Sequence, residues 1–192
     1  MEGSGRDFKS PFHDFLHGFQ AGRGTGTATL EAKLLQQLVA LREEVLYEIF
    51  LDRQKAYGAL DRSMCLEILE GYGVGPQARR ILQTYWRRLT MVARAVGYYG
   101  AAFKGGRGVT QGNPLSPTIF NVAMDAVVRY WVTRVIADAE ERGELGKEGR
   151  HQAALFCADD CMVASSDPDG YRVRSIPLSA CFTGWACKQM SG

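Results

Sequence analysis

The sequence has no apolar run long enough to cross a membrane and no signal-like amino terminus, so it predicts neither membrane insertion nor secretion. It also lacks the paired cysteines and histidines of a zinc finger. Its five cysteines are an odd number, and we expect reduced thiols in an intracellular compartment, cytoplasmic or nuclear depending on the host. A strong charge of either sign is missing too, because 23 basic and 21 acidic residues leave a net charge of +2.

The composition is that of a globular protein. Of the 192 residues, 46% are hydrophobic and 23% are charged, which predicts one globular domain or one domain with a fragment of another. Basic residues gather in three clusters, each of which can face a phosphate backbone or form an ordinary solvated helix face. The clusters are Arg79 with Arg80, Arg87 and Arg88 with Arg94, and Lys104 with Arg107.

Two adjacent carboxylates interrupt an apolar stretch near the carboxyl end. Residues 155–164 form two short apolar runs that meet at Asp159 and Asp160, which predicts a β-hairpin with an acidic tip. Like charges this close oppose each other's ionisation, and apolar flanks add a desolvation penalty, so the pair favours a bound divalent cation. An exposed acidic turn is the alternative for this stretch taken alone.

A third carboxylate follows another β-prone run. Residues 48–52 end on Asp52, and a strand that ends on an acid holds its oxygens at the rim of the sheet. Asp52 is therefore a candidate metal ligand. The alternative is a cap on the following turn, although Asp61 fits that role better because it precedes an amphipathic helix.

The remaining patterns predict an α/β domain of the α+β kind. Alternation around Gly97 predicts a hairpin over residues 91–103, and helices are predicted over residues 63–72, 76–89 and 117–142. The loop at residues 22–27, which contains Arg23, is either an anion site or a plain helix entry. Residues 30–45 predict an amphipathic helix with one leucine face, formed by Leu30, Leu34, Leu38 and Leu41.

A glycine-rich loop precedes the longest predicted helix. Three of residues 105–108 are glycine, and Gln111, Gly112, Asn113 and Pro114 follow as a turn. Such a loop lets the backbone approach a ligand closely because glycine carries no side chain. These four residues are therefore candidate binding residues.

In this order and spacing, the motifs resemble the palm of reverse transcriptases. Residues 18–25 are similar to the fingers-to-palm segment of the bacterial, group II intron and non-LTR retroelement branches. The other matching stretches are Asp52 with residues 55–57, residues 111–121, and residues 156–160. The resemblance implies a small antiparallel sheet with these acids at its rim, backed by helices that begin near Ser63 and Pro117, with partial fingers.

The resemblance also implies an RNA-directed DNA polymerase that uses two Mg²⁺ ions, with Mn²⁺ as a substitute. Asp52 and Asp159 would bridge the metals, and Asp160 would assist. The implied partners are an RNA template, a DNA or RNA primer and deoxynucleoside triphosphates, with no membrane, and the oligomeric state is left open.

Further roles follow from the same resemblance. Arg23 would touch the nucleotide or the template, and the turn from Gln111 to Pro114 would line the nucleotide pocket. Tyr57 matches the aromatic gate that excludes a ribose 2′-hydroxyl by its bulk. The basic helix over residues 76–88 and the strand bearing Arg94 would follow template or primer phosphates.

Four positions depart from the family pattern. Gly58 replaces an acid, Arg53 an apolar residue, Asn113 a common aspartate, and Cys157 an aromatic residue. None of these changes removes a metal ligand. Arg53 could nevertheless compete with a cation for Asp52, because an adjacent guanidinium favours an ion pair.

The sequence predicts three segments: a disordered amino terminus at residues 1–11, partial fingers and palm at residues 12–169, and a tail outside the family pattern at residues 170–192. The leading function is an RNA-directed DNA polymerase or the remnant of one, in a truncated or decayed copy. The first alternative is a catalytically inactive nucleic-acid-binding fragment of a retroelement protein, and the second is an adaptor or toxin–antitoxin module that reuses the fold to bind partners.

The tail predicts a frameshift near Gly170. Permitted codons for residues 170–192, read one base out of register, encode LQGAFDTLVGLFHRVGLQTNVG, an amphipathic helix followed by a Gly-Leu-x-x-Asn element. The family places such a helix after its acidic hairpin, whereas an ordinary disordered tail is the alternative. We expect the nucleotide sequence of the locus to encode this helix in the shifted frame. A nucleotide sequence that encodes no such helix would end the hypothesis.

Overall fold

The computed structural model of the protein describes residues 11–52, 55–141, 152–158 and 160–166. Most of the predicted disordered terminus and all of the predicted tail therefore lie outside the described residues. In chain order the elements are α1 (Thr25–Leu41), β1 (Tyr47–Leu51), α2 (Ala56–Ala59), α3 (Arg62–Gly71), α4 (Pro76–Arg88), β2 (Met91–Ala95), β3 (Tyr98–Phe103), α5 (Ser116–Glu141), β4 (Gln152–Cys157) and β5 (Asp160–Ser165).

The described residues form two compact units. The first, which we call the sheet unit, comprises residues 11–52 and the described residues from 132 onward. The second, which we call the helical unit, comprises residues 55–131. The division falls within α5, between Trp131 and Val132.

The sheet unit contains a three-stranded antiparallel sheet in the order β1-β5-β4. Strands β4 and β5 form the predicted hairpin, with Cys157 opposite Asp160. Ala158 in the turn has a φ of 58°, a left-handed conformation of the kind that tight hairpin turns require. Strand β1 pairs with β5 so that Leu51 lies opposite Cys161. The predicted small antiparallel sheet is therefore confirmed.

Helix α1 packs on this sheet. Leu155, Met162 and Ala164 form a buried cluster, against which partly buried Ala32, Leu35 and Leu46 pack. Val39 on the same helix is 1% exposed. Apolar burial of this kind is the main favourable contribution to folding, so α1 supplies one wall of the core of the sheet unit.

The leucine face predicted for α1 is not its buried face. The helix exists, but its four leucines are 57%, 55%, 40% and 84% exposed at Leu30, Leu34, Leu38 and Leu41. The helix carries two apolar stripes, and the one with the smaller residue Ala32 allows close approach to the sheet. Leucine spacing alone could not distinguish between the two stripes.

The helical unit confirms several predicted helix boundaries. Asp61 caps α3, since its carboxylate accepts hydrogen bonds from the backbone N–H groups of Ser63 at 2.9 Å and Met64 at 3.1 Å. Pro76 occupies the first turn of α4, where a missing N–H costs nothing. Helix α3 buries Met64, Cys65 and Ile68.

A buried carboxylate links α3 to α5. Asp125 is fully buried, accepts a hydrogen bond from the Tyr72 hydroxyl, and lies 2.6 Å from Nε of Arg129 one turn along the helix. Burial, together with the bond to Asp125, raises the pKa of Tyr72 far above its usual value. The carboxylate is thus paired within the helical unit, as a buried charge must be.

Strands β2 and β3 form the predicted antiparallel hairpin, with a bulge between Val92 and Arg94 and with Gly97 at a φ of 78°. No helix among the described residues is long and apolar enough to cross a membrane.

The two stripes of α1 predict different responses to truncation. We expect Val39→Ala to lower the free energy of unfolding by about 1–3 kcal/mol, because it leaves a cavity between helix and sheet. The matched variant Leu41→Ala, at an exposed position, should stay within about 0.5 kcal/mol of wild type. Urea denaturation followed by circular dichroism measures both, and equal losses would contradict the assignment of the buried stripe.

Candidate metal and nucleic-acid site

Two of the three predicted acidic residues meet in the sheet unit. Asp52 follows β1 directly and Asp160 begins β5, and the β1–β5 ladder ends at the pair Leu51 and Cys161. Extending this register by one residue brings Asp52 to the position opposite Asp160. Residues directly opposite in an antiparallel pair lie on the same face of the sheet. Both aspartates are exposed, and both line one cavity.

This cavity has a volume of about 500 Å³ and lies between the sheet and α1. Its apolar lining includes Phe50 and Met162, whereas its polar lining from α1 consists of Thr29, Lys33 and Gln36. A mostly apolar cavity with a few convergent polar groups is the usual form of a ligand site. The lysine and the aspartates bring charges of opposite sign to one cavity.

Asp159, the third predicted ligand, lies outside the described residues, as does Arg53. Within the described ranges, no group of three or more His, Cys, Asp or Glu side chains is close enough together to hold a metal ion. Carboxylate oxygens are nevertheless the donors that Mg²⁺ prefers. The carboxylates of Asp52 and Asp160, which line one cavity, therefore suit Mg²⁺ by the chemistry of their donors.

The amino-terminal segment holds the tip of the β4–β5 hairpin. The backbone N–H of Phe156 donates to the carbonyl of Phe15, and that of His17 donates to the carbonyl of Phe156, both at 2.8 Å. At the next residue, a Cβ added to Gly18 would lie 2.6 Å from the backbone nitrogen of Ala158. Only glycine permits this approach, so residue 18 bears directly on the turn that precedes Asp159.

His17 fixes this segment to α1. The side chain is fully buried, with Nδ1 3.0 Å from the Thr27 hydroxyl and Nε2 3.4 Å from a carboxylate oxygen of Glu31. Thr27 also donates to the carbonyl of Gly24 at 2.8 Å, at the start of the helix. The glycine and threonine loop therefore serves as a helix entry in this structure.

Arg23 is directed at its own loop. Its guanidinium lies 2.9 Å from a carboxylate oxygen of Asp14 and donates to the backbone carbonyl of the same residue. It also donates to the carbonyl of Leu16 at 3.5 Å. Arg23 is not among the residues that line the cavity of Asp52 and Asp160. Its predicted contact with nucleotide or template stays a prediction.

The other predicted binding residues lie in the helical unit. Gly112 has a φ of 83°, a left-handed conformation suited to glycine. The side-chain oxygen of Asn113 accepts a hydrogen bond from the backbone N–H of Leu115 at 2.9 Å. Its side-chain NH₂ group donates a hydrogen bond to the Tyr85 hydroxyl at 2.8 Å. Asn113 thus shapes the entry to α5. Gln111 and Pro114 are exposed, and their predicted contact with a nucleotide stays a prediction.

Tyr57, the predicted aromatic gate, stacks on Phe120 of α5 with ring centroids 4.6 Å apart and planes 3° from parallel. Its ring is half-buried, so its position is fixed by packing. Its backbone carbonyl accepts from the N–H of Val109 at 2.8 Å, which holds the glycine-rich loop beside α2.

Arg62 clamps the same loop, which sequence reasoning did not identify. Its guanidinium donates to the carbonyls of Gly108 at 2.8 Å and Gly105 at 2.6 Å, and it lies 5.8 Å from the Trp86 ring. Gly108 has a φ of 79°, and a Cβ there would lie 2.6 Å from the backbone of Gly58. Three glycines within residues 105–108 were the only signal of this close packing.

The two cysteines of the β4–β5 hairpin differ in environment. Burial raises the pKa of Cys161 to about 12, so this thiol stays protonated at neutral pH and is a poor nucleophile. Cys157 is half-buried and lines the cavity. Within the described residues these thiols form no disulfide.

Comparison with known sequences finds one matching family model and two similar retrotransposon proteins. A family model described as "Reverse transcriptase (RNA-dependent DNA polymerase)" matches residues 6–182. The chain is 28% identical over 161 residues to a Pol polyprotein from a type-1 R2 retrotransposable element of Nasonia vitripennis, covering 83% of the chain and 14% of that relative. It is 32% identical over 123 residues to a Pol polyprotein from the type-2 element R2DM of Drosophila melanogaster, covering 64% of the chain and 11% of that relative.

Solved structures of telomerase share the fold. Telomerase of Candida tropicalis in complex with a fragment of telomeric RNA matches with a TM-score of 0.61 at 16% identity, covering 88% of the chain and 29% of that protein. The apo enzyme of the same species, truncated from its C-terminal domain, matches with a TM-score of 0.55 at 17% identity, covering 84% of the chain and 32% of that protein.

Contact between residue 18 and the hairpin turn can be tested by adding one methyl group. We expect Gly18→Ala to lower the free energy of unfolding by about 1–3 kcal/mol, because two backbone segments must separate. Gly26→Ala is the matched control: nothing lies within 4 Å of the added Cβ, and alanine in α1 should stabilise the chain by up to about 1 kcal/mol. Urea denaturation measures the free energy of unfolding of both variants. A Gly18→Ala variant as stable as wild type would contradict the close approach.

Proposed function

The chain belongs to the reverse transcriptase (RNA-dependent DNA polymerase) family, and from this premise we propose that it carries the acidic site of a template-directed DNA polymerase. The observation that carries the proposal is the placement of Asp52 opposite Asp160 in one cavity. The chain spans only 14% and 11% of the two retrotransposon relatives. The activity of a whole polymerase is therefore a proposal for this chain.

The proposed substrates are an RNA template, a DNA or RNA primer and deoxynucleoside triphosphates, met inside the cell. In the proposed reaction, the primer 3′-oxygen forms a bond to the α-phosphorus of the incoming nucleotide, and the bond from that phosphorus to pyrophosphate breaks. The template selects the nucleotide by base pairing, so the protein needs no contacts that read base sequence.

Asp52, Asp159 and Asp160 would hold two Mg²⁺ ions, or Mn²⁺ ions in their place. When bound, such ions supply Lewis-acid activation of the attacking hydroxyl and stabilise the charge on the leaving group. The register between β1 and β5 supports this role for Asp52 and Asp160, because it fixes both carboxylates on one rigid face.

The helical unit would supply the nucleotide contacts. We assign Tyr57, held against Phe120 by stacking, to the position that excludes a 2′-hydroxyl, since a ring fixed by packing excludes by bulk. Gln111, Gly112, Asn113 and Pro114 would line the nucleotide site. Asn113 would act through the shape it gives the turn, because its side chain already forms hydrogen bonds with the Leu115 backbone and the Tyr85 hydroxyl.

Arg23 would act indirectly on template or nucleotide. Its bonds to Asp14 and Leu16 hold the segment that carries His17 and Gly18. That segment brackets the hairpin tip. We therefore propose that Arg23 positions the acidic turn as well as offering positive charge near it.

A catalytically inactive nucleic-acid-binding fragment is the second candidate function. The frameshift predicted near Gly170 would favour it, since a decayed copy would keep its fold and lose turnover. This candidate predicts salt-sensitive RNA binding without extension of a primer.

Primer extension tests the polymerase proposal directly. On poly(rA)·oligo(dT) with Mg²⁺ or Mn²⁺, we expect Asp52→Asn or Asp159→Ala to lower the rate of extension by about 100-fold or more, since even outer partners of metal ligands are worth 10–100-fold. Glu67→Gln, an exposed carboxylate of α3, is the matched control and should keep the wild-type rate. Equal extension by wild type and Asp159→Ala would mean contamination.

Metal binding gives a second readout that does not require turnover. Enhancement of water proton relaxation by Mn²⁺ should report binding to wild type and to Glu67→Gln, and markedly weaker binding to Asp52→Asn and Asp160→Asn. Binding without extension would support the inactive fragment. Absence of Mn²⁺ binding by wild type would contradict the acidic site itself.

A further inference from the structure

The helical unit contains a long stretch of one charge sign. From Gly71 to Met124 the chain has no aspartate or glutamate, although the whole sequence has 21 acidic residues against 23 basic ones. The same stretch carries seven basic residues, namely Arg79, Arg80, Arg87, Arg88, Arg94, Lys104 and Arg107. The net charge of +2 for the chain therefore conceals a strongly cationic segment and an acidic remainder.

Most of these cations face solvent. All but Arg79, which pairs with Glu70 at 2.7 Å, are exposed. A charged surface of one sign raises the local concentration of partners of the opposite sign. Charge complementarity thus identifies the partner of this stretch as a polyanion.

The β2–β3 hairpin lies in the middle of this segment, and nearly all of its residues are exposed in the part of the chain that the structure describes. All six residues of β3 are exposed, and so are four of the five residues of β2. An isolated two-stranded ribbon is at best marginally stable in water. The hairpin therefore has apolar surface that a bound partner would cover.

Aromatic rings dominate the exposed surface of the hairpin. Tyr98 is 79% exposed and Tyr99 is 74% exposed, and as neighbours in a strand they lie on opposite faces of the ribbon. Arg94 lies opposite Tyr99 in the register, with its guanidinium 5.6 Å from the ring centroid. Exposed aromatic rings beside arginines are the usual platform on which unpaired bases stack.

We propose that the β2–β3 hairpin binds single-stranded RNA, with bases stacked on Tyr98 and Tyr99 and phosphates neutralised by Arg94 and its basic neighbours. The cationic segment favours this occupant over an apolar protein surface, because such a surface would gain nothing from the segment's six exposed cations. Identification of the bound RNA as the template rests on the proposed function. It adds a binding surface outside the acidic cavity.

Fluorescence anisotropy with a labelled 12-nucleotide oligo(rU) tests the inference on the full 192-residue chain. We expect Tyr98→Ala and Tyr99→Ala each to raise the Kd by roughly 5- to 150-fold, since stacking accounts for a change of that order per base. Tyr98→Phe and Tyr99→Phe keep the ring and should stay within about twofold of wild type. Leu41→Ala, an exposed apolar truncation in the sheet unit, should also bind as wild type.

The salt dependence separates charge from stacking. Arg94→Gln should weaken binding and reduce the slope of log Kd against log salt by about 0.7, the value for one phosphate contact in a single strand. The tyrosine variants should keep the wild-type slope. Thermal unfolding of each variant verifies folding, and the exposure of all three side chains predicts unchanged midpoints.

Other outcomes would overturn the inference. Wild-type affinity in the Tyr98→Ala, Tyr99→Ala double variant would remove the hairpin from RNA binding. A dimer in sedimentation equilibrium that dissociates in this double variant, with RNA binding intact, would assign the hairpin to a protein partner. Because the assay reads RNA binding and not primer extension, failure of the polymerase proposal and failure of this one are distinguishable, and Glu67→Gln should bind RNA as wild type.

Discussion

The antiparallel pairing of β1 with β5 is the constraint on which the acidic site depends. Asp52 and Asp160 are far apart in sequence, and only the match of Leu51 with Cys161 sets them opposite each other. A shift of one residue would turn one carboxylate to the other face of the sheet. Buried side chains on β5 and β4 oppose such a shift, because each would have to exchange its place in the core for solvent.

Backbone contacts also fix one loop in each unit. In the sheet unit, the segment from Phe15 to Gly18 brackets the end of β4 by backbone hydrogen bonds and by a contact that only glycine permits. In the helical unit, Arg62 holds the glycine-rich loop by two backbone carbonyls. Both sets of contacts fix the path of the backbone. In both, the close approach depends on a glycine, Gly18 in the first and Gly108 in the second.

The sequence predicted those features of the fold that neighbouring residues determine. The cap at Asp61, the hairpin at Gly97 and the strand that ends before Asp52 were predicted because capping, turn geometry and alternation are written in neighbouring residues. The exposure of the leucine face of α1 could not be predicted from the sequence, because burial depends on which stripe meets the sheet. His17, Gly18 and Arg62 were missed because their partners lie in distant segments, and their own neighbours carry no sign of the contact.

Helix α1 keeps its four leucines in water on the side away from its buried stripe. Water at such a surface is displaced readily by other apolar groups, and large exposed apolar patches mark either binding sites or aggregation liabilities. This leucine stripe therefore favours association between folded chains. Salts that strengthen the hydrophobic effect, such as ammonium sulfate, would bring the chain out of solution early, in its native state and without unfolding.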